Sequence, residues 1–431
     1  MPESFPFSTP TLKKQRARRA RWLARFIPLG ADIQSTNMRR VMFDSVGVGF
    51  ASAATPFLPI LLTRLDATNE AIGWLSALPA LGALLFGIVA GRFLQTRKQI
   101  VPWFSTARLL LISAFAFTGL APFLFTQARV EIILAIWALA TIPQTILNVS
   151  FNVVMAGVAG PQNRYYLMSR RWSILGATNA VTVALAGLLL HSIAFPINYT
   201  IVFTILSLGG FVSYYFSSHL TLPDQTPPKN SDDTSLFSRV RFEAQNVRAQ
   251  PAFMRFNVSQ FVYHLGWGLA VPLFPLYFVR HLAATDADIG LITTVNTGVM
   301  LFAYFFWSRI SRAWGARFAL LATTFGLALY PALLAFTTPI PAVLILAGLA
   351  GIFQAGLDLV FFDTLASSVP PEASATYVGI YQTTKSVALF AGPLIGTLLA
   401  GNLGIPGALV VAGAVRLVGF GTFYTLFREE E

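Results

Sequence analysis

Apolar segments of about 20 residues or more, separated by short polar ones, recur along the whole chain. At a helical rise of about 1.5 Å per residue, such a run crosses about 30 Å of hydrocarbon. Only helices and closed barrels cross it with every backbone group bonded. The pattern predicts twelve transmembrane helices, over 38–63, 71–91, 100–121, 130–159, 172–192, 197–217, 253–279, 288–308, 317–337, 340–369, 375–400 and 405–427. One long polar stretch, HLTLPDQTPPKNSDDTSLFSRVRFEAQNVRAQP at 219–251, interrupts the series. The expected organisation is a basic tail (1–37), a six-helix bundle (38–218), a linker (219–252), a second six-helix bundle (253–427) and a short tail (428–431).

The two bundles repeat one another. PFLPILLTR at 56–64 returns as PLFPLYFVR at 272–280, so that Pro56, Pro59 and Arg64 map onto Pro272, Pro275 and Arg280. ATNEAIG (67–73) returns as ATDADIG (284–290), Arg92 as Arg309, and IPQTILNVSF (142–151) as IFQAGLDLVF (352–361). The offset stays between 210 and 217 over more than a hundred residues. Chance likeness between apolar helices would scatter it, so the chain reads as a duplicated, parallel six-helix unit.

Within the spans, polar residues three, four, seven or eight apart share a face. Thr141, Gln144, Thr145, Asn148 and Asn152 form such a stripe on the fourth helix. Amides are expensive against lipid, so the stripe faces either a cavity or other helices. The repeat carries Gln144 onto Gln354 and Asn148 onto Asp358, giving the tenth helix the same face with one acid in it. Lys385 climbs the next helix to a similar depth, and an Asp358–Lys385 ion pair is expected, with snorkelling of Lys385 as the alternative. Asp363 is nine residues beyond Gln354, on the opposite face near the helix end, where a gating or structural pair with Arg309 or Arg312 is expected. Asp44 maps onto Gln260, and Asn257, Gln260 and His264 form a stripe on the seventh helix. For Asp44, a pair with Arg40 or Arg108 and a role in proton coupling stay open; His264 reads as a titrating group or a hydrogen-bonding wall residue. Asn179 and Asn296, mid-span in the fifth and eighth helices, join the candidate lining. Arg416 lies mid-way along the twelfth helix with no role assigned by pattern.

Composition agrees with a membrane protein: 55% hydrophobic, 11% charged, mean hydropathy +0.64. The net charge of +12 follows the topology rather than forming one patch, which argues against nucleic acid. Of the 30 Lys and Arg, only Arg64, Arg129 and Arg280 fall at the far ends of spans, and Arg108, Lys385 and Arg416 within them. The positive-inside rule then puts both termini in the cytoplasm. The tail KKQRARRARWLARF shows no apolar core with a cleavage site and reads as lying on anionic lipid. No cysteine is present, so disulfides and thiolate metal sites are excluded; no metal and no cofactor is expected.

With its six-plus-six duplication and long central loop, the chain resembles the major facilitator superfamily over 38–427. The family's signature loop joins the second and third helices of each half. GIVAGRFLQTRK (87–98) and WSRISRAWGAR (307–317) are similar to it at Gly87, Arg92, Arg97 and Lys98, and at Arg312, Gly315 and Arg317. Gly91 stands at the acidic position of the first copy, and the second also lacks the acid. AGPLIG (391–396) resembles the family's Gly-Pro helix motif, but in the eleventh helix rather than the fifth. The resemblance implies a central cavity bordered by the fourth and tenth helices; for Gly87, Arg92, Arg309, Arg312 and Gly315 of the loops, a gating role and simple enforcement of orientation by the basic residues both stay open.

No metalloprotease, phosphate-loop or nucleophile-elbow motif appears, so catalysis is not expected. The expected function is secondary active transport by alternating access, coupled to a proton or another ion, with a small-molecule substrate. Efflux of an amphiphile is preferred over uptake of a polar metabolite by symport; a non-transporting sensor or assembly protein is the rival of another class. The expected setting is the plasma (inner) membrane, as a monomer.

Overall fold

The computed structural model describes residues 32–224, 250–367 and 374–428, without the side chains of 161, 162, 165, 362, 363, 366, 367, 374–376 and 426–428. The basic tail, most of the linker and the Asp363 side chain lie outside the described residues.

The described residues are helical nearly throughout and contain no strand. Among the described residues, ten helices are long and apolar enough to cross a membrane; two of them, 50 and 49 residues long, each break once, at Gly315 and Gly404. A third break, at Gly160, divides the stretch Arg129–Ser192. Counting across the breaks gives α1 (Ile33–Arg64), α2 (Asn69–Gln95), α3 (Val101–Leu124), α4 (129–159), α5 (161–192) and α6 (Ile197–Ser218). The second half gives α7 (Pro251–His281), α8 (286–314), α9 (316–335), α10 (Ile340–Ser367), α11 (374–403) and α12 (405–428).

The three breaks have φ of +63°, +84° and +73° with ψ near 160–180°, a region essentially closed to residues with a Cβ. A single glycine therefore turns the chain with almost no loop. Three other starts are capped by side chains: Asp32 accepts from Ser35 N, Thr68 from Ala71 N, and Thr285 forms a reciprocal box with Asp288. α1 and α7 are each interrupted where the repeat places its prolines, at Pro56 and Pro272, because proline removes a helical donor. Beyond that interruption α7 ends in a π-helical turn, Tyr277–His281.

The halves meet along two seams that the duplication relates. Gly73 of α2 sits against Thr397 and Pro393 of α11, while its repeat, Gly290 of α8, sits against Gly187 and Val183 of α5. A Cβ on Gly187 would lie 2.8 Å from the Asp286 carbonyl oxygen, so glycine is what lets these backbones approach.

Buried apolar residues divide unevenly. One cluster joins both halves at the end away from the start of α1 and the end of α12, from Phe57, Leu61 and Ile72 to Leu273, Leu276 and Ile289. At the terminal end the cores are separate, around Phe253, Trp307 and Phe361 in one half and around Val41, Phe104 and Val154 in the other. The described residues are thus sealed at the far end and parted at the end where α1 begins and α12 ends. Exposed Leu85, Ile88, Phe302 and Phe305 lie on the outer girth, as expected of lipid-facing positions.

Candidate functional site

Two cavities are lined each almost wholly by one half. The first-half cavity, about 610 Å³, is walled mostly by apolar groups such as Leu58, Leu111, Phe115 and Trp137, with Gln144, Asn148, Arg108 and Arg171 among them. The second-half cavity, about 440 Å³, is more polar and includes Tyr263, His264, Gln354, Asp358, Lys385 and Arg416.

The stripe predicted on α4 divides. Gln144 and Asn148 line the cavity, but Thr141 is buried with its Cβ against Gly82 of α2, and Thr145 is buried and donates back to the Thr141 carbonyl. Asn152 is exposed and borders neither cavity. The reason at Thr141 is steric: Gly82 of α2 leaves room for the two helices to close over it, whereas Gln144 and Asn148 meet no such approach.

In α10, Gln354 and Asp358 share one face, as their spacing requires. Asp358 accepts from Gln354 Nε2 at 2.7 Å and from the Tyr304 hydroxyl of α8 at 2.8 Å. The expected Asp358–Lys385 ion pair is not formed. Lys385 lines the same cavity, but Tyr304 and Gln354 occupy the carboxylate oxygens, and no N···O contact within 4.0 Å joins acid and base. His264 also lines this cavity, with Nδ1 2.8 Å from the Gln260 carbonyl.

Three predicted lining residues hold helices together instead. Gln260 is fully buried and donates to Asn257 Oδ1 and Thr384 Oγ1, tying α7 to α11. Asn179 donates to Ser52 Oγ at 3.0 Å, joining α5 to α1. Asn296 donates to the Ala347 carbonyl at 2.9 Å, joining α8 to α10. Mid-span polarity alone does not separate a cavity wall from such a tie.

Asp44 is 1% exposed and bonded by Arg108 Nη1 and by the Ser213 hydroxyl. Of its open alternatives the structure takes Arg108; Arg40 instead donates to the His219 carbonyl. Arg416 is 1% exposed, donates to the Leu327 carbonyl at 2.9 Å and the Tyr263 hydroxyl at 2.7 Å, and lies over the Tyr263 ring. It pins α12 to α7 and α9 while bordering the second cavity.

The signature loops lie at the parted end. Gly87 has no neighbour within 4 Å of where a Cβ would be, and Gly315 forms the α8–α9 break. Arg92, Arg309 and Arg312 are exposed and carry no ion pair among the described residues.

At the sealed end the duplicated arginines cross between halves. Arg64 donates to Asp286 Oδ1 (2.9 Å) and to the Ala284 carbonyl (3.0 Å). Arg280 donates to Asn69 Oδ1 (2.7 Å) and to the Ala67 carbonyl. In the repeat, Ala67 and Asn69 are the counterparts of Ala284 and Asp286, so these are two copies of one contact. The copies differ in charge, and Tyr199 adds a hydrogen bond to Asp286 at 2.8 Å. The repeat aligns the two arginines but does not show what they bind; the signal for the contact is that the alanines recur in the same register.

The residues missed were Arg171, Tyr304 and this latch. Arg171 falls one position before the predicted fifth span, which begins at 172, whereas α5 continues from the break at Gly160. It therefore sits about 16 Å along the helix from that break by rise alone.

The family description "Major Facilitator Superfamily" matches residues 45–255 and 256–431. A "Multidrug resistance protein MdtG" of Proteus mirabilis is 30% identical over 167 residues, covering 38% of this chain and 40% of that protein. An uncharacterized MFS-type transporter of Methanocaldococcus jannaschii is 27% identical over 148 residues, covering 34% and 38%. The matched region thus spans about two fifths of the length of these relatives. Among solved structures, a mutant of the nucleoside transporter NupG superposes with a TM-score of 0.68 at 12% identity, covering 92% of this chain and 100% of that one. A bacterial homolog to the human lysosomal transporter Spinster, inward-facing and unoccupied, gives 0.69 at 13% identity, covering 93% and 98%.

Proposed function

The chain belongs to the major facilitator superfamily, and we propose that it is a secondary active transporter in which the halves rock about a central path, exporting an amphiphilic molecule in exchange for protons. The observation that carries this reading is the asymmetric closure: two repeat-related arginine contacts seal one end, while charged groups line cavities open at the other. A packed structural bundle has no use for Asp358 in an open cavity, where an unpaired acid is costly.

Asp358 is the proposed proton carrier. Its carboxylate faces the cavity, within the field of Lys385, and is held by two donors that orient it without neutralising it. The apolar wall of the first-half cavity supports an amphiphilic substrate, and the partial likeness to a multidrug resistance protein supports the outward direction. The proposed setting is the plasma membrane with both termini cytoplasmic, on the positive-inside bias, and the basic tail on anionic lipid.

The test is flux in proteoliposomes across a panel of amphiphilic and polar compounds, with and without an imposed proton gradient. Gradient-dependent flux of an amphiphile is expected, and Asp358→Asn should abolish the gradient dependence while leaving substrate exchange at equilibrium. Absence of gradient-dependent flux together with absence of any ligand-induced thermal shift would point to a non-transporting member of the family.

A further inference from the structure

We propose that Arg171 is the anchor for an anionic group on the transported amphiphile, so that the first-half cavity takes organic anions rather than neutral or cationic compounds. The assignment rests on reading this cavity as the substrate path. Arg171 is 4% exposed and lines the cavity, yet its Nε and Nη1 are buried with no hydrogen-bond partner. A guanidinium offers five donors in a rigid fork, and leaving them unmade away from water is expensive.

What surrounds it does not supply the missing acceptor. The rings of Phe151 and Trp172 lie 4.6 and 5.0 Å from its Cζ, which partly offsets the charge but accepts no in-plane N–H. Asp44 acts on Arg171 electrostatically, but its oxygens are bonded by Arg108 and Ser213. Arg108 adds a second positive charge to the same wall. Two arginines against one acid leave this cavity with an excess positive charge.

In the same cavity, Gln144 and Asn148 make no hydrogen bond among the described residues and offer donors to the same anion. Apolar side chains make up most of the remaining wall. A carboxylate, sulfonate or phosphate ester on an apolar body matches all three features: fork, free amides and greasy wall.

The test uses 2-naphthoate and its uncharged isostere 2-naphthamide, with binding to the full chain in nanodiscs followed by calorimetry. Naphthoate should bind at least about tenfold more tightly than naphthamide, the discrimination expected of a charge-assisted bidentate contact. Arg171→Gln should erase the preference, and Arg171→Lys should restore part of it. Equal affinity of the wild-type chain for the two probes would overturn the proposal, as would a naphthoate preference unchanged in Arg171→Gln. The wild-type comparison decides the matter even if the variants fail to fold. A proteoliposome arm separates the two readings. Arg171-dependent naphthoate binding without flux would sink transport and keep the anion site. Gradient-driven flux of neutral or cationic amphiphiles with no naphthoate preference would do the reverse.

Discussion

Asp44 and Arg108 show what a charge needs in order to persist inside the bundle. Each is nearly fully buried, and each satisfies the other, with Ser213 completing the carboxylate. Replacing Asp44 by Ala leaves a buried guanidinium without its counter-charge, which is expected to cost about 3–5 kcal/mol. The readout is a large fall in the unfolding midpoint in detergent, with partial recovery when Arg108→Met is added. Tyr263→Phe should cost less, about 1–3 kcal/mol, because it strips one acceptor from Arg416 while the Leu327 carbonyl remains; thermal unfolding beside wild type measures it. The anomalous charges were legible from sequence, since Asp44, Arg108 and Arg416 interrupt apolar runs. Their partners were not, because Arg108 lies 64 positions from Asp44 and the acceptors of Arg416 lie 89 and 153 positions away.

Helices meet through glycine at the seams, and single glycines turn the chain at three of its corners. The α5–α8 contact, with Gly187 against Gly290, leaves no room for a side chain. Gly187→Leu should therefore push α5 from α8 and unseal the closed end. The native chain has no cysteine, so a lone Ser76→Cys variant, at a position lining the first-half cavity, can report this directly. Labelling by a membrane-impermeant thiol reagent from the side opposite the termini should rise roughly tenfold when Gly187→Leu is added, as for a shift of one decade in a two-state equilibrium. An unchanged rate would mean that the seam does not control closure. At this scale helix number was readable from hydropathy, and the start of α5 was not. Polar residues just after Gly160 look like a loop by composition, whereas the glycine makes the turn by itself and the helix runs on to place Arg171 in a cavity wall.

For the whole molecule, the duplicated arginine contacts set which end is closed. Arg64 meets a carboxylate and Arg280 an amide, so the two copies should differ in strength. In the same labelling assay, Arg64→Ala is expected to increase access from the sealed end more than Arg280→Ala. Exchanging the charges, with Arg64→Asp and Asp286→Arg together, should return access toward the wild-type rate; if the double variant stays as open as Arg64→Ala, the pair does not hold the end shut.

Hydropathy, spacing and internal similarity by themselves determined the membrane class, the helices, the duplication and the faces on which Gln354 and Asp358 lie. These are consequences of short-range periodicity and of transfer from water to hydrocarbon, which act on each segment alone. Only the tertiary structure decided that Gln260, Asn179 and Asn296 tie helices together, that Tyr304 holds Asp358 where Lys385 was expected, and that Arg171 keeps Nε and Nη1 without an acceptor. Whether a buried polar atom is satisfied depends on the one or two atoms within about 3 Å of it, and these come from helices distant in the chain.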